Sequence, residues 1–230
     1  MVRAAIFDRD GVLTHFDVPM LHAFFEPLVP LRLDELAARW QAWCEIGASP
    51  RTLADESAFW GEFWNRLATE LSLSAGVRDR LCGFDYTASL RAFPDARAAL
   101  RDARSRGLKI GVLSNFPLAS LDASLRSVGL SPLIDVACSA SVIGAAKPAT
   151  PSYLAVTREL GVHPAECLFF DDEAACVEGA CKLGLEGYLV DRTRERHALA
   201  ERVVRGLDAV GEIIGSAGAN ETHRHGPLLE

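Results

Sequence analysis

Apolar positions follow two different rhythms along the chain. Between residues 21 and 82 they recur at the three- and four-residue spacing of amphipathic helices, in segments at 21–28, 31–43, 56–71 and 77–82. From residue 93 onward, short apolar runs alternate with helical stretches, and Pro and Gly residues mark many of the boundaries. One further apolar run, at residues 4–7, precedes the helical segments. The pattern therefore predicts an α/β region that is interrupted near its start by an all-helical insertion.

The alternating region predicts a doubly wound parallel sheet with helices on both faces. Strands that are separated by helices of this length need right-handed crossover connections, which place the helices there. The expected strands are 4–7, 108–113, 134–138, 167–170 and 187–190. The expected helices are 94–107, 118–128, 151–161 with Thr150 as its cap, 174–183, and two stretches that reach Ile214.

The two rhythms divide the chain into two predicted domains. We assign residues 1–16 and 87–230 to an α/β core domain and residues 17–86 to a helical cap domain inserted after the first strand. The tail from Gly215 to Glu230 lacks periodicity and is expected to be a surface extension. Boundaries that are read from such patterns carry an error of about two to four residues.

Two carboxylates end the first apolar run. Asp8 and Asp10 stand two positions apart in the segment Asp8-Arg9-Asp10-Gly11. Open parallel sheets bind their ligands at the carboxyl ends of the strands, which is where these acids are expected to lie. Like charges this close repel each other unless a cation neutralises them. The pair therefore indicates a Mg²⁺ site in which one carboxylate is a nucleophile and the other transfers protons.

Three later segments strengthen this interpretation. They are Gly111-Val112-Leu113-Ser114-Asn115, Lys147-Pro148 and Leu168-Phe169-Phe170-Asp171-Asp172. Together with the first segment, and in this order, they resemble the four motifs of the haloacid dehalogenase (HAD) superfamily and extend over nearly the whole chain. The resemblance implies a Rossmann-like core with a helical cap, and a Mg²⁺-dependent phosphatase that acts on a small phosphorylated metabolite.

The resemblance also implies roles for the first motif. Asp8 would attack phosphorus, form an aspartyl-phosphate intermediate and bind the metal. Asp10 would protonate the leaving oxygen and then deprotonate the attacking water, while its backbone carbonyl binds the metal. Gly11 fits the tight turn that lets the backbone approach the ligand.

The other motifs would complete the site. Ser114 and the backbone N–H of Asn115 would bind the phosphoryl oxygens, and Lys147 would supply a compensating positive charge. Asp171 and Asp172 would complete the oxygen shell of Mg²⁺, with Asp172 as the more direct ligand.

Two positions depart from the family's pattern. A Ser commonly follows the acids of the fourth motif, and an Asn or Asp often comes four residues after the second acid. This chain has Glu173 and Cys176 at those positions, which puts the support around the metal in doubt. Of two interpretations for Glu173, an acid of the first helical turn is favoured over a participant in the metal shell.

Aromatic residues concentrate in the inserted helices. Their spacing of three and four predicts that most of them form the core of the insertion, while a minority face the active site and contact the leaving group of the substrate. They are Trp40, Trp43, Phe59, Trp60, Phe63 and Trp64.

Composition narrows the classes of partner. The 230 residues are 49% hydrophobic, which allows a sizeable core. The formal net charge is -7 and no Lys/Arg-rich run is present, so nucleic acid and membrane surfaces are not expected as partners. A small phosphorylated substrate needs only a local positive site. The sequence gives no indication of oligomeric state.

The same composition favours the cytoplasm as the location. No apolar run approaches transmembrane length, and the first strand leaves no room before it for a signal peptide. The six cysteines form no C-x-x-C pair, so free thiols in a reducing compartment are expected rather than disulfides or a zinc site.

Three alternative functions share parts of this pattern. Haloacid dehalogenases use the same nucleophile on carbon, but they need neither a metal nor the second acid, so Asp10 and the Asp171-Asp172 pair count against them. A phosphomutase would keep all four motifs. A non-catalytic binding protein on this fold is expected to have lost a motif acid, and none is lost.

Overall fold

The computed structural model describes residues 1–46 and 49–222. These residues contain eight strands: β1 (Ala4–Phe7), β2 (Thr14–Phe16), β3 (Leu90–Ala92), β4 (Lys109–Ser114), β5 (Val136–Ser139), β6 (Cys167–Asp171), β7 (Glu186–Val190) and β8 (Val203–Val204). Six of them form a parallel sheet in the order β5-β4-β1-β6-β7-β8. The predicted doubly wound parallel sheet is therefore confirmed, with β1 in the interior of the sheet between β4 and β6.

The same residues contain ten α-helices: α1 (Val18–Phe25), α2 (Leu33–Ile46), α3 (Leu53–Glu70), α4 (Ala75–Cys82), α5 (Ala96–Ser105), α6 (Leu121–Ser127), α7 (Ala140–Ile143), α8 (Thr150–Leu160), α9 (Ala174–Leu183) and α10 (Val210–Thr222). Short 3₁₀ turns lie at Tyr86–Ser89, Ser131–Leu133, Pro164–Glu166, Leu199–Glu201 and Leu207–Ala209. None of the helices in this part of the chain is both long and apolar enough to cross a bilayer.

Successive residues of the central strands belong in turn to two hydrophobic clusters, one on each face of the sheet. In β1, Ala5 and Phe7 belong to one cluster, whereas Ala4 and Ile6 belong to the other. The first cluster includes residues of α5, α6 and α10, and the second includes residues of α8 and α9. Because side chains alternate across a strand, a fully apolar strand of this kind needs cover on both faces.

Helices α1–α4, which we call the cap helices, lie between β2 and β3. These two strands pair antiparallel, from Thr14 opposite Ala92 to Phe16 opposite Leu90. The pairing brings the two ends of the helical segment together. A third hydrophobic cluster, with Phe25, Trp64 and Leu81 among its buried members, holds the cap helices to one another.

Part of the aromatic set packs outward from the cap helices onto the main sheet. Phe63 and Trp64 are buried in the cluster of the cap helices, as expected. Phe59 instead belongs to the cluster on one face of the main sheet, and Trp40 and Trp60 contact both clusters. The aromatic residues therefore also join the cap helices to the sheet.

Three local expectations were wrong. Strand β8 has only two residues, Val203–Val204, in a region predicted to be helical, and such a short apolar pair carries no periodicity. Helix α10 continues to Thr222, beyond the predicted end at Ile214; residues 223–230 of the tail lie outside the described residues. Helix α8 has Ala149 as its N-cap, without a side-chain hydrogen bond, so Thr150 is already helical.

Candidate active site

The ends of three parallel strands bring the predicted site residues to one edge of the sheet. Asp8 follows β1 directly, and Ser114 and Asp171 are the last residues of β4 and β6. Phe7 pairs with Phe170 in register, and the backbone N–H of Asp8 donates to the carbonyl of Phe170 at 2.8 Å. The register thus sets Asp8 beside Asp171 at the carboxyl edge.

Lys147 places a buried positive charge between these two acids. Its Nζ lies 2.8 Å from Asp8 Oδ1 and donates to Asp171 Oδ2 at 2.6 Å. The lysine side chain is only 2% exposed. Burial alone would lower the pKa of Lys147, but the charges of Asp8 and Asp171 raise it above its ordinary value. The ammonium is therefore kept protonated at this position.

Asn115 holds the backbone of the lysine in place. Its side-chain Nδ2 donates to the carbonyl oxygen of Lys147 at 3.0 Å, and its Oδ1 accepts from the Lys147 N–H at 2.7 Å. This reciprocal pair ties the loop after β4 to the lysine loop, 32 residues further along the chain. The sequence predicted a role for the Asn115 backbone N–H; the role of its side chain was missed.

Asp172 brings a third carboxylate to the cluster. Asp8, Asp171 and Asp172 each offer a carboxylate oxygen, and these atoms lie within 4.8 Å of one another. A Cβ atom at Gly11 would lie 2.0 Å from Asp172 Oδ2, and Gly11 has a φ of +72°. Any side chain at Gly11 would displace this carboxylate, so the glycine is required by both conformation and space. We call Asp8, Lys147, Asp171 and Asp172 the carboxylate site.

Burial raises the pKa of each acid in the carboxylate site. Burial raises the pKa of Asp8 to about 6, with Lys147 opposing the rise and Asp171 adding to it. Burial, and then the charge of Asp8, raises the pKa of Asp172 to about 6. Burial also raises the pKa of Asp171, against the opposing effect of Lys147. One ammonium does not balance three carboxylates, so the site favours a further positive charge.

Residues 2–184 of the chain match the haloacid dehalogenase-like hydrolase family. The chain belongs to this family. It is 42% identical over 218 residues to Phosphatase MT3486 of Mycobacterium tuberculosis (strain CDC 1551 / Oshkosh), which covers 94% of this chain and 99% of the relative. It is 30% identical over 213 residues to the (S)-2-haloacid dehalogenase of Xanthobacter autotrophicus, which covers 91% of this chain and 82% of that protein. The solved structure of a HAD phosphatase from Thermococcus onnurineus superposes with a TM-score of 0.66 at 23% identity, over 93% of this chain and 98% of that chain, which supports the fold.

The carboxylate site of this HAD-like hydrolase fits a hard divalent cation. Its donors are oxygen atoms, which Mg²⁺ prefers. Asp8 Oδ1 is buried, lies 2.8 Å from the Lys147 ammonium and accepts no well-aligned hydrogen bond from the described residues. Asp171 instead has both oxygens occupied, by Lys147 and by the Glu173 N–H at 2.9 Å. Asp8 and Asp172 are therefore the better placed ligands.

Asp10, the second acid of the first HAD motif, is turned toward its neighbour in the chain. Arg9 Nε donates to Asp10 Oδ1 at 3.1 Å, and Arg9 Nη2 donates to Oδ2 at 2.5 Å. Arg9 is fully buried, donates to Ser124 Oγ at 3.1 Å and stacks 3.8 Å above the ring of Phe116. In the structure the carboxylate of Asp10 therefore binds the buried guanidinium of Arg9. It is not part of the cluster of carboxylates formed by Asp8, Asp171 and Asp172.

Ser114, the polar residue that ends β4 in the second HAD motif, is buried, and its hydroxyl oxygen accepts one hydrogen bond. Its Oγ accepts from the backbone N–H of Phe116 at 3.3 Å, which leaves the hydroxyl proton available to a ligand. Residues 114–120, which we call the β4 loop, run from this hydroxyl to the start of α6.

The two departures from the family pattern contact each other. Glu173 is the N-cap residue of α9 without a side-chain capping bond, and Cys176 Sγ donates to Glu173 Oε2 at 3.3 Å. Cys176 is buried, and burial raises the pKa of its thiol to about 12. The backbone of Glu173, through its bond to Asp171, supports the site more directly than its carboxylate does.

Two arginines support the first motif, and sequence reasoning missed both. Arg9 donates two hydrogen bonds to the carboxylate of Asp10, as described above. Arg192, two residues past the end of β7, donates to the carbonyl oxygens of Gly11 at 3.0 Å and Val12 at 2.6 Å and pairs with Asp95 at 3.0 Å. Gly11, Val12 and Asp95 lie 181, 180 and 97 residues away in the chain, so no local pattern could have indicated these contacts.

All six cysteines are free thiols, as the sequence predicted. His15, which follows the first motif, packs against Phe93 with a centroid separation of 4.8 Å and the two rings tilted by 44°.

Proposed function

We propose that this HAD-like hydrolase is a Mg²⁺-dependent phosphatase that hydrolyses a small phosphomonoester through an aspartyl-phosphate intermediate on Asp8. The observation that carries the proposal is the contact between buried Asp8 and the ammonium of Lys147, at 2.8 Å, beside two further carboxylates. The 42% identity to a relative named as a phosphatase, over nearly the full length of both chains, supports the same conclusion.

Attack by a carboxylate on phosphorus needs positive charge around the phosphoryl oxygens. Lys147 supplies a fixed charge, and Asp171 positions it by accepting its hydrogen bond. Mg²⁺, held by Asp8, Asp172 and the backbone carbonyl of Asp10, would supply the second charge. Ser114 Oγ and the Asn115 backbone N–H would donate to the phosphoryl oxygens.

Asp10 is proposed as the general acid and base. Both of its carboxylate oxygens accept from Arg9 in this structure, so a proton transfer to the leaving oxygen needs the side chain to turn away from the guanidinium. Before the transfer, Arg9 would hold the Asp10 side chain in the orientation that this structure shows. In this proposal Arg9 is a positioning residue, because it acts through Asp10.

We also propose that residues 17–86 form a cap domain that closes over the site and excludes bulk water. The cap helices fall within these boundaries and return to the sheet through the β2–β3 pair. A small phosphorylated metabolite is the proposed substrate. Cytoplasm is the proposed location, which the six free thiols support.

The test measures two products from one protein preparation. Phosphate release is followed on a panel of phosphomonoesters with Mg²⁺, and halide release is followed on (S)-2-chloropropionate. We expect phosphate release that chelation abolishes and added Mg²⁺ restores, without halide release. The 30% identity to a haloacid dehalogenase makes the second assay necessary.

Halide release without phosphate release, or phosphate release that survives exhaustive chelation, would overturn the proposal. Phosphorus NMR on hexose phosphates separates free phosphate from an isomerised sugar phosphate. A dominant isomerised product would show a phosphomutase instead.

A further inference from the structure

A cavity of about 330 Å³ lies between the cap helices and the β4 loop. Of the sixteen described residues that line it, none carries a charged side chain and nine are aromatic. Trp40, Trp60 and Trp64 contribute from the cap helices, and Phe116 and Leu118 contribute from the β4 loop. We call this space the cap cavity. Its size is at the lower end of the range for small-molecule sites, which runs from about 300 to 1,000 Å³.

Two walls of the cap cavity are connected to the proposed catalytic groups. Phe116 donates its backbone N–H to Ser114 Oγ at 3.3 Å, and its ring lies under the guanidinium that holds Asp10. Phe16 ends β2, whose first residue, Thr14, donates to Asp10 Oδ1 at 3.4 Å. A group that is esterified to a phosphate at Ser114 and Asp8 can therefore extend toward this cavity.

The polar atoms on the cavity walls are mostly engaged within the protein. The hydroxyl of Tyr86 is bonded to Ser120 Oγ at 2.5 Å, and Ser89 Oγ donates to the carbonyl of Tyr86 at 2.6 Å. Trp40 is different: its indole N–H is buried and has no hydrogen-bond partner among the described residues. A ligand with many hydroxyl groups would leave most of those groups without hydrogen-bond partners in this cavity. A single acceptor on the ligand could instead accept from the Trp40 N–H.

We infer that the leaving group of the substrate is a compact apolar alcohol, cyclic or branched, with at most one polar group besides the esterified oxygen. At about 30 Å³ for each molecule of liquid water, the cap cavity holds roughly ten heavy atoms. The inference rests on the proposed phosphatase function and narrows its substrate class. It excludes sugar phosphates, whose hydroxyls the cavity leaves unpaired.

A matched pair of substrates tests the inference. Cyclohexylmethyl phosphate and glucose 6-phosphate are both phosphate esters of a primary alcohol on a six-membered ring, and they differ in the ring hydroxyls and the ring oxygen. We expect kcat/KM to be about 10²-fold higher for the cyclohexyl ester, the size of discrimination that an apolar pocket achieves against hydroxyls. Equal values, or a preference for glucose 6-phosphate, would overturn the inference.

A pair of variants tests whether the cap cavity causes the preference. Ala37 lines the cavity, and Ala38 beside it on α2 is exposed and does not. Both positions are exposed, so neither substitution crowds the hydrophobic core. In Ala37→Phe, the ratio of kcat/KM for cyclohexylmethyl phosphate to that for acetyl phosphate should fall about tenfold. The ratio should stay unchanged in Ala38→Phe. Equal ratios in the two variants would contradict the inference that the cap cavity binds the leaving group.

Binding of the free alcohol gives a readout that needs neither metal nor turnover. Cyclohexylmethanol should bind saturably and change the tryptophan fluorescence, because Trp40 and Trp60 line the cap cavity. Binding should weaken about tenfold in Ala37→Phe and not in Ala38→Phe. No saturable binding to the wild-type protein would overturn the inference.

The two proposals fail in different ways. Acetyl phosphate has a leaving group too small to fill the cavity, so its hydrolysis by the wild-type protein but not by Asp8→Asn tests the phosphatase function alone. Absence of that hydrolysis overturns the proposed function. Hydrolysis of acetyl phosphate together with a preference for sugar phosphates overturns only the inference about the leaving group.

Discussion

At the carboxyl edge of the main sheet, a buried ammonium lies between Asp8, which follows β1 directly, and Asp171, the last residue of β6. Under the cap helices, a cavity of about 330 Å³ is walled mostly by aromatic and aliphatic side chains, without a charge among the described residues. The first region concentrates charge in fixed geometry, and the second offers apolar surface. The chemistry and the choice of substrate are therefore expected to respond to different substitutions.

The largest expected effect is the loss of the nucleophile. Asp8→Asn keeps the size of the side chain but cannot attack phosphorus, so phosphate release should fall by at least ~10³-fold. The measurement is kcat/KM for acetyl phosphate, with circular dichroism to check the fold. Asp122→Asn, which changes a 70% exposed carboxylate on α6, is the matched control. Near wild-type turnover in Asp8→Asn would contradict the mechanism, because the charged region would then not supply the nucleophile.

Removal of the buried ammonium should be the next largest effect. Lys147→Met leaves the carboxylates of Asp8 and Asp171 buried without their cation, which should lower the free energy of unfolding by about 3 kcal/mol. Chemical denaturation measures the loss. Lys182→Met is the control, since that ammonium is 80% exposed and lies 3.9 Å from Glu178. Equal stability of the two variants would show that the carboxylates do not depend on Lys147.

The two acids of the fourth motif should differ in their effect on the metal. Asp172→Asn removes a carboxylate that has no bond to Lys147, whereas Asp171→Asn removes the partner of that lysine. We expect the Kd for Mg²⁺ to rise about 10- to 100-fold in Asp172→Asn and less in Asp171→Asn, as titration calorimetry would measure. The reverse order would assign the direct ligand to Asp171.

The fold was more predictable from the sequence than the contacts that support the site. Asp8, Ser114 and Asp171 lie at strand ends, and the local alternation of apolar runs and helices is enough to find such ends. The structure brings Asp8, Lys147, Asp171 and Asp172 together; their catalytic roles, like the domain boundaries, stay predictions. The family membership and the doubly wound sheet are confirmed.

What the sequence did not predict depends on long-range packing. Arg9 and Arg192 support the first motif through Ser124, Phe116 and Asp95, which lie about a hundred residues away in the chain from the arginine concerned. Strand β8 has two residues and is defined by its pairing with β7. No spacing rule within one segment encodes such contacts, because their partners are chosen only when the helices pack on the sheet.

The charged region should also respond to pH. Asp8 and Asp172 both have a pKa raised from the ordinary 3.8 to about 6. Between about pH 4 and pH 6 the native protein holds protons that the unfolded chain has released, so the free energy of unfolding of the metal-free protein should fall as the pH rises through this window. Mg²⁺ binds the ionised carboxylates and should reverse this loss above pH 6.

Thermal unfolding with and without Mg²⁺ measures this response. At a concentration about ten times Kd, Mg²⁺ should raise Tm by roughly 5 °C at about pH 7.5, and the rise should vanish near pH 5. Asp172→Asn should reduce the rise at the higher pH. A rise in Tm that is the same at both pH values would mean that Mg²⁺ binds elsewhere.

The smallest expected effect concerns Glu56, which joins the two regions. This buried residue of α3 accepts from the Ser120 N–H at 2.8 Å and from the Ser120 hydroxyl at 2.6 Å, at the end of the β4 loop. Glu56→Ala leaves both donors without that acceptor. Water that enters the vacated space can replace part of the bonding, so the free energy of unfolding should fall by about 1 kcal/mol. Glu62→Ala, at an exposed position of the same helix, is the control.

A catalytic readout separates a link between the regions from a purely structural bond. Glu56 lies on a cap helix and its partner lies on the loop that carries Ser114, so its loss should loosen the wall of the cap cavity and leave the carboxylate site in place. The ratio of kcat/KM for cyclohexylmethyl phosphate to that for acetyl phosphate should then fall in Glu56→Ala and hold in Glu62→Ala. If both substrates lose activity equally in Glu56→Ala, the cap helices act on the chemistry itself, and the division between a charged catalytic region and an apolar selecting region is wrong.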